Sequence, residues 1–161
     1  MRLHGSCHCG KVAFTVESDT PYPFMFCYCS ICRKTAGGPY GCNIMGKRAT
    51  LRVTGERFLR AFHATVRDPG RRPYRSEGTR SFCTRCGSQL FVLDDRWPDG
   101  VWPNAGVIDT PLPVPPSRVH IMTRFKPAWV PVAGRGPRFR GYPALSIAEW
   151  HERRGKTKAR R

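Results

Sequence analysis

The chain has 161 residues, and 28 Lys and Arg against 11 Asp and Glu give it a formal charge of +17. Hydrophobic residues make up 40% and are spread along its length; that excludes general disorder and suits one core rather than two. No apolar run approaches the roughly 20 residues that cross a bilayer, and the start, MRLHGSCHCG, has no apolar leader core. A soluble, cytoplasmic chain without membrane contact is expected.

In chain order the pattern is short strands between turn residues. Lys11–Val16 alternates, with Val12, Phe14 and Val16 on one face, the period-two signature of a half-buried strand. Similar runs predict strands at Tyr40–Met45, Thr50–Val53, Arg57–Phe62, Gln89–Leu93 and Arg118–Thr123. Fifteen prolines and 16 glycines punctuate the rest. A turn of helix is expected after Cys32. A second helix is expected from Ser146 to about Arg154, where Ser146 and Glu149 have capping-box spacing ahead of Trp150. The division expected is a metal-binding domain over 1–145, then the short helix and a basic tail over 146–161.

The eight cysteines stand at 7 and 9; 27, 29 and 32; 42; and 83 and 86. Seven lie in tight clusters, a spacing that strains a disulfide but grips one metal ion. Cys27, Cys29 and Cys32 fall within six residues and can wrap an ion alone. The pairs Cys7/Cys9 and Cys83/Cys86 add up to a closed four-thiolate structural site. Cys83-Thr84-Arg85-Cys86-Gly87 has a zinc-knuckle shape, with a glycine where the turn aims backbone amides at sulfur. The three-thiolate site keeps one position open, which is where chemistry can occur. Cys42 reads as a small buried residue, and His8 and His63 as bystanders.

Three short motifs resemble those of the glutathione-dependent formaldehyde-activating enzyme family, whose domain centromere protein V shares. They are Gly5-Ser6-Cys7-His8-Cys9-Gly10, Cys27-Tyr28-Cys29-Ser30-Ile31-Cys32-Arg33-Lys34 and Phe82-Cys83-Thr84-Arg85-Cys86-Gly87. Gly106-Val107-Ile108-Asp109, Arg118-Val119-His120-Ile121 and Trp129 fit the family's closing pattern. The resemblance implies a mainly β, Mss4-like zinc-binding fold with short helices and many loops. It also implies two zinc ions per chain, a structural one on Cys7, Cys9, Cys83 and Cys86 and a catalytic one on Cys27, Cys29 and Cys32. The implied reaction joins glutathione to formaldehyde, formally a carbon–sulfur lyase in reverse. Tyr28, where the family often has His, and Val107, where it has a small hydroxyl residue, depart from the pattern beside the reactive zinc and at the pocket wall.

A substrate thiol is expected to occupy the open position of that zinc and to be deprotonated there. Arg33 and Lys34, beside Cys32, are the candidate contacts for glutathione carboxylates, and the basic charge would draw in an anionic thiol. The alternative is a zinc-stabilised basic module that binds nucleic acid through Arg67–Arg80 and the tail from Glu152. The Asp68-Pro69-Gly70 turn marks the first of these stretches as an exposed loop. Asp94-Asp95 is read as part of a solvated turn, Asp109 as a possible acid–base group, and His120 as facing either pocket or core.

Overall fold

The computed structural model describes residues 1–132 and 134–155. The tail beyond Gly155 lies outside the described residues. The architecture is mainly β, as expected, and consists of three small sheets. Strands β1 (Arg2–Ser6) and β2 (Ala13–Glu17) form an antiparallel hairpin in register from Arg2↔Glu17 to Ser6↔Ala13. Strand β3 (Met25–Cys27) leads into helix α1 (Ser30–Ala36), which is followed by the two-residue strands β4 (Gly41–Cys42) and β5 (Gly46–Lys47). Strand β6 (Arg52–Thr54) completes the first sheet beside β2.

Next come the long hairpin of β7 (Leu59–Val66) and β8 (Tyr74–Cys83), then β9 (Gln89–Leu93) and β10 (Gly100–Pro103). With β5 they form a five-stranded sheet ordered β5-β10-β9-β8-β7. Strand β11 (Val119–Ile121) runs parallel to β3, whose other edge holds β4. Helix α2 (Ile147–Arg153) closes the described chain. No helix among the described residues is long and apolar enough to cross a membrane.

The strand alternation has its expected consequence: Val12, Phe14 and Val16 are all buried. They join Leu3, Ile44, Leu90, Phe91 and Val101 in the main core, where Phe14 meets Phe91 edge-on at 5.6 Å between centroids. A smaller cluster holds Phe24, Val119, Ile121 and Trp150. The capping box forms at Ser146, which takes the Glu149 amide on its hydroxyl and donates its own amide to the Glu149 carboxylate. That start sets α2 so that Trp150 stacks on Phe24 at 3.7 Å. Truncating such a buried ring to Ala costs about 3–5 kcal/mol.

Several boundaries differ from the expectations. Strand β2 starts two residues later than expected, because Lys11 and Val12 belong to the turn that carries Cys7 and Cys9. Tyr40–Met45 divides into β4 and isolated bridges, and Arg57–Phe62 opens with a 3₁₀ turn over Glu56–Phe58. The stretch Arg67–Arg80 is an exposed turn only at its start, where the Arg71 amide bonds the Asp68 carbonyl. From Tyr74 it is β8, paired with β7 and, from Thr79 onward, with β9 as well. Strands β1, β3, β5, β8 and β10 are additions to the sequence reading. Asp94 is not a solvated acid either: it is buried, and Arg96 clasps it with two hydrogen bonds of 2.9 and 2.7 Å.

Candidate functional site

Two turns of the same design face each other across the first two sheets. The turn between β1 and β2 carries Cys7 and Cys9, and the turn between β8 and β9 follows Cys83 and carries Cys86. Each closes on a glycine in the left-handed region, Gly10 at φ 69° and Gly87 at φ 74°, a conformation that side chains with a Cβ rarely adopt. The Gly10 amide bonds the Cys7 carbonyl and the Gly87 amide bonds the Cys83 carbonyl, at 2.9 and 2.8 Å. The four sulfurs lie within 4.8 Å of one another. All eight cysteines are free thiols.

The spacing fits a metal ion. Zinc–sulfur bonds of about 2.3 Å in a tetrahedron place sulfurs about 3.8 Å apart. Cys7 and Cys9 are separated by 3.6 Å, Cys9 and Cys83 by 3.9 Å. Amides are aimed at the sulfurs, as in the 3.2 Å bond from the Val12 amide to Cys7 Sγ. The Ser88 hydroxyl, with the Ser88 and Cys9 amides, pulls the Cys86 thiol down to about 5. Donors arranged this way stabilise thiolates, the form that binds metal.

The second cluster is built where β3 runs into α1. Cys27 ends the strand, Cys29 is the N-cap of the helix and Cys32 sits in its first turn. The Cys29 sulfur accepts the Cys32 amide at 3.3 Å, so a capping interaction that satisfies an unpaired helix amide also orients a ligand. The three sulfurs lie within 4.8 Å of one another, and no fourth Cys, His, Asp or Glu joins them among the described residues. Hydrogen bonds from the Cys27 and Cys32 thiols pull Cys29 down, while the Cys29 and Cys32 thiols and burial hold Cys27 up. Three thiols this close ionise together only beside a cation, because like charges oppose one another. Both clusters can therefore bind metal.

The expected partition of seven cysteines is what the fold assembles, and Cys42, His8 and His63 stand outside both clusters. Cys42 packs partly buried against Phe26, Tyr28 and Val130, and burial pushes its thiol up to about 12. His63 is bonded to the Ser76 carbonyl at 2.8 Å. Tyr28, between two ligands in sequence, turns its ring into the core instead of standing beside the reactive site. It is fully buried, with its hydroxyl 3.0 Å from Nδ1 of His120. His120 therefore faces the core, and burial, reinforced by Arg138 and Arg118, holds it below its ordinary value.

A groove of about 610 Å³ runs between α1 and the Cys86 turn, lined by Lys34, Tyr40, Cys42, Ser88, Asn104 and Val107 among others. Of the two basic residues after Cys32, Lys34 lines it and Arg33 does not. Arg33 spends its Nε on the Tyr28 carbonyl at 3.0 Å, bracing the loop between Cys27 and Cys29. Val107 is part of the groove wall, and Asp109 is exposed outside it. One residue that the sequence reading missed is Arg80, whose Nη2 lies 3.9 Å from Cys32 Sγ.

Comparison with known proteins gives a consistent assignment. Residues 2–124 match the model of a family described as "Glutathione-dependent formaldehyde-activating enzyme". A curated protein of Halomonas elongata is 51% identical over 158 residues, covering 96% of this chain and 98% of the relative. It carries the name "Putative glutathione-dependent formaldehyde-activating enzyme". Among solved structures, a Rhodobacter sphaeroides protein matches with a TM-score of 0.49 and 23% identity, over 68% of this chain and 91% of that one.

Proposed function

Because the chain belongs to the glutathione-dependent formaldehyde-activating enzyme family, we propose that it adds the thiol of glutathione, or of a similar small anionic thiol, to formaldehyde or another small aldehyde. A carbon–sulfur bond forms, the carbonyl π bond breaks, and the thiol proton ends on the new hydroxyl. This is the reverse of a carbon–sulfur lyase cleavage. The observation that carries the proposal is the incomplete donor set: three converging thiols with no fourth ligand among the described residues, at the start of the helix whose far end borders the groove. We assign two zinc ions per chain, one to each cluster.

A zinc ion on Cys27, Cys29 and Cys32 would keep one position for a substrate thiol and supply the positive charge that favours its thiolate. The chain's own residues do the rest. Cys29 caps α1 and so fixes the sulfurs relative to the helix. Arg33 holds the intervening carbonyl, and the Tyr28–His120 hydrogen bond locks the loop to the core. Lys34, exposed at the groove wall, binds a carboxylate of the thiol. The net charge of +17 raises the local concentration of that anion, so the basic composition needs no nucleic-acid partner. Cys7, Cys9, Cys83 and Cys86 would hold the second zinc, which would tie the first sheet to the second and contribute folding free energy. The Mss4-like reading agrees with such paired knuckles between β-hairpins, and a cytoplasmic site agrees with eight free thiols.

Exchange NMR of glutathione with formaldehyde tests the proposal, with the spontaneous rate subtracted. The zinc-loaded protein should give an excess rate, and Cys29→Ser should abolish it. No excess from protein that carries both ions would remove glutathione and formaldehyde as the substrates.

A further inference from the structure

Arg80 is a cation without a carboxylate. It makes no ion pair with Asp or Glu among the described residues, whereas Lys47, Arg48 and Arg96 each do. Its Nε is buried and has no hydrogen-bond partner. Holding a guanidinium partly out of water is costly unless an anion faces it. The group it does reach is Cys32 Sγ, at 3.9 Å from Nη2, and Cys32 is itself only 8% exposed.

The backbone makes this placement deliberate. Arg80 sits inside β8, held by Phe62 of β7 on one side and Val92 of β9 on the other. It cannot drift as a loop arginine would, and strand alternation puts it on the sheet face opposite Ser81 and Cys83, the latter a ligand of the four-cysteine cluster. One strand therefore serves both clusters: Cys83 ligates one, and the Arg80 side chain crosses to the other.

We infer that Arg80 is a positioning residue of the three-cysteine site, donating a hydrogen bond to the Cys32 sulfur and supplying the counter-charge that this donor set lacks. The inference rests on the metal reading proposed above. Three thiolates around a divalent ion leave one net negative charge, and a single guanidinium cancels it. The four-cysteine site is served by backbone amides and the Ser88 hydroxyl instead, and its Cys9 is open to solvent. Hydrogen-bond partners of ligands typically change metal affinity 10- to 100-fold, so Arg80 should govern how tightly the reactive ion is held.

Chelator competition on the full-length, two-zinc protein is the test, with circular dichroism followed in parallel. Wild type should release its ions in two steps. Arg80→Gln should release the first about 10- to 100-fold more readily and the second unchanged; Arg80→Lys, which keeps the charge, should stay within about threefold of wild type on the first. Cobalt(II) substitution adds a readout that does not depend on Arg80→Gln folding. The sulfur-to-cobalt band should move between wild type and Arg80→Lys, because the forked N–H donor is lost. Wild-type retention in Arg80→Gln, equal losses in both variants, or superimposable cobalt bands would each overturn the inference. A wild-type protein that binds only one ion would overturn the three-cysteine reading itself, and the role of Arg80 with it.

Discussion

The two cysteine clusters use the same donor atom on different supports. The four-cysteine cluster stands at the ends of two antiparallel hairpins, with Cys7 and Cys83 buried and each turn closed by a left-handed glycine. Its four sulfurs come from the ends and turns of strands that are already paired, and an ion there would fasten two sheets together. The three-cysteine cluster stands where a three-residue strand becomes a seven-residue helix, supported by side chains from distant strands: His120 through Tyr28, and Arg80 directly. The closed donor set has four ligands, and the role proposed for it is structural. The open one has Cys27 and Cys29 only partly buried, and the function proposed for it has an exchanging ligand enter there.

Breaking the first cluster should have the largest effect. Cys83→Ser removes a fully buried ligand and with it much of a binding term worth about 10–16 kcal/mol in zinc-finger peptides. The expected outcome is no cooperative unfolding transition by circular dichroism at 25 °C. Cys29→Ser should leave that transition in place, lower metal content by one ion per chain, and drop the exchange rate to the spontaneous value. A Cys29→Ser protein that failed to fold would erase the distinction between the clusters.

Two smaller perturbations sharpen it. Lys34→Ala should raise KM for glutathione about 3- to 10-fold with kcat unchanged, the loss expected of one partly exposed charge–carboxylate contact; an unchanged KM removes Lys34 from the groove's binding role. The smallest effect is on pH dependence. Burial holds His120 and His151 below their ordinary values, so both are neutral in the folded chain and take up protons more readily when it unfolds. Their contribution to stability is complete above about pH 6.5, the ordinary histidine value, and is lost as pH falls below it towards the lower folded values. His151 lies on α2 and belongs to neither cysteine cluster, and His151→Gln should make the fall in urea midpoint between pH 7.5 and 5.5 shallower. An unaltered slope would show that the acid sensitivity lies elsewhere, in protonation of the thiolates.

The features readable in the sequence are those fixed by near neighbours. Ligand pairs one or two residues apart, the glycines after Cys9 and Cys86, the Ser146–Glu149 capping box and the alternation of Gln89–Leu93 all keep their meaning in the fold. The features that escaped depend on pairing across the chain. Strand β1 has only Leu3 and Gly5 on its inner face, too little apolar signal for a periodicity, and β10 hides between turn residues and Pro103. Arg80 meets Cys32 across 48 positions, and Tyr28 meets His120 across 92. No local pattern tells an arginine in a basic run that one of its neighbours will be strand-locked against a sulfur.

The central claim is that one cluster holds the fold and the other holds the chemistry. It is tested most directly by a chelator titration of the two-zinc protein in which the excess glutathione–formaldehyde exchange rate and the far-ultraviolet circular dichroism are followed together. The account predicts that the rate disappears with loss of the first ion while the spectrum is unchanged, and that the spectrum collapses only with the second. Loss of both signals at one chelator concentration, or of the spectrum before the rate, would contradict it.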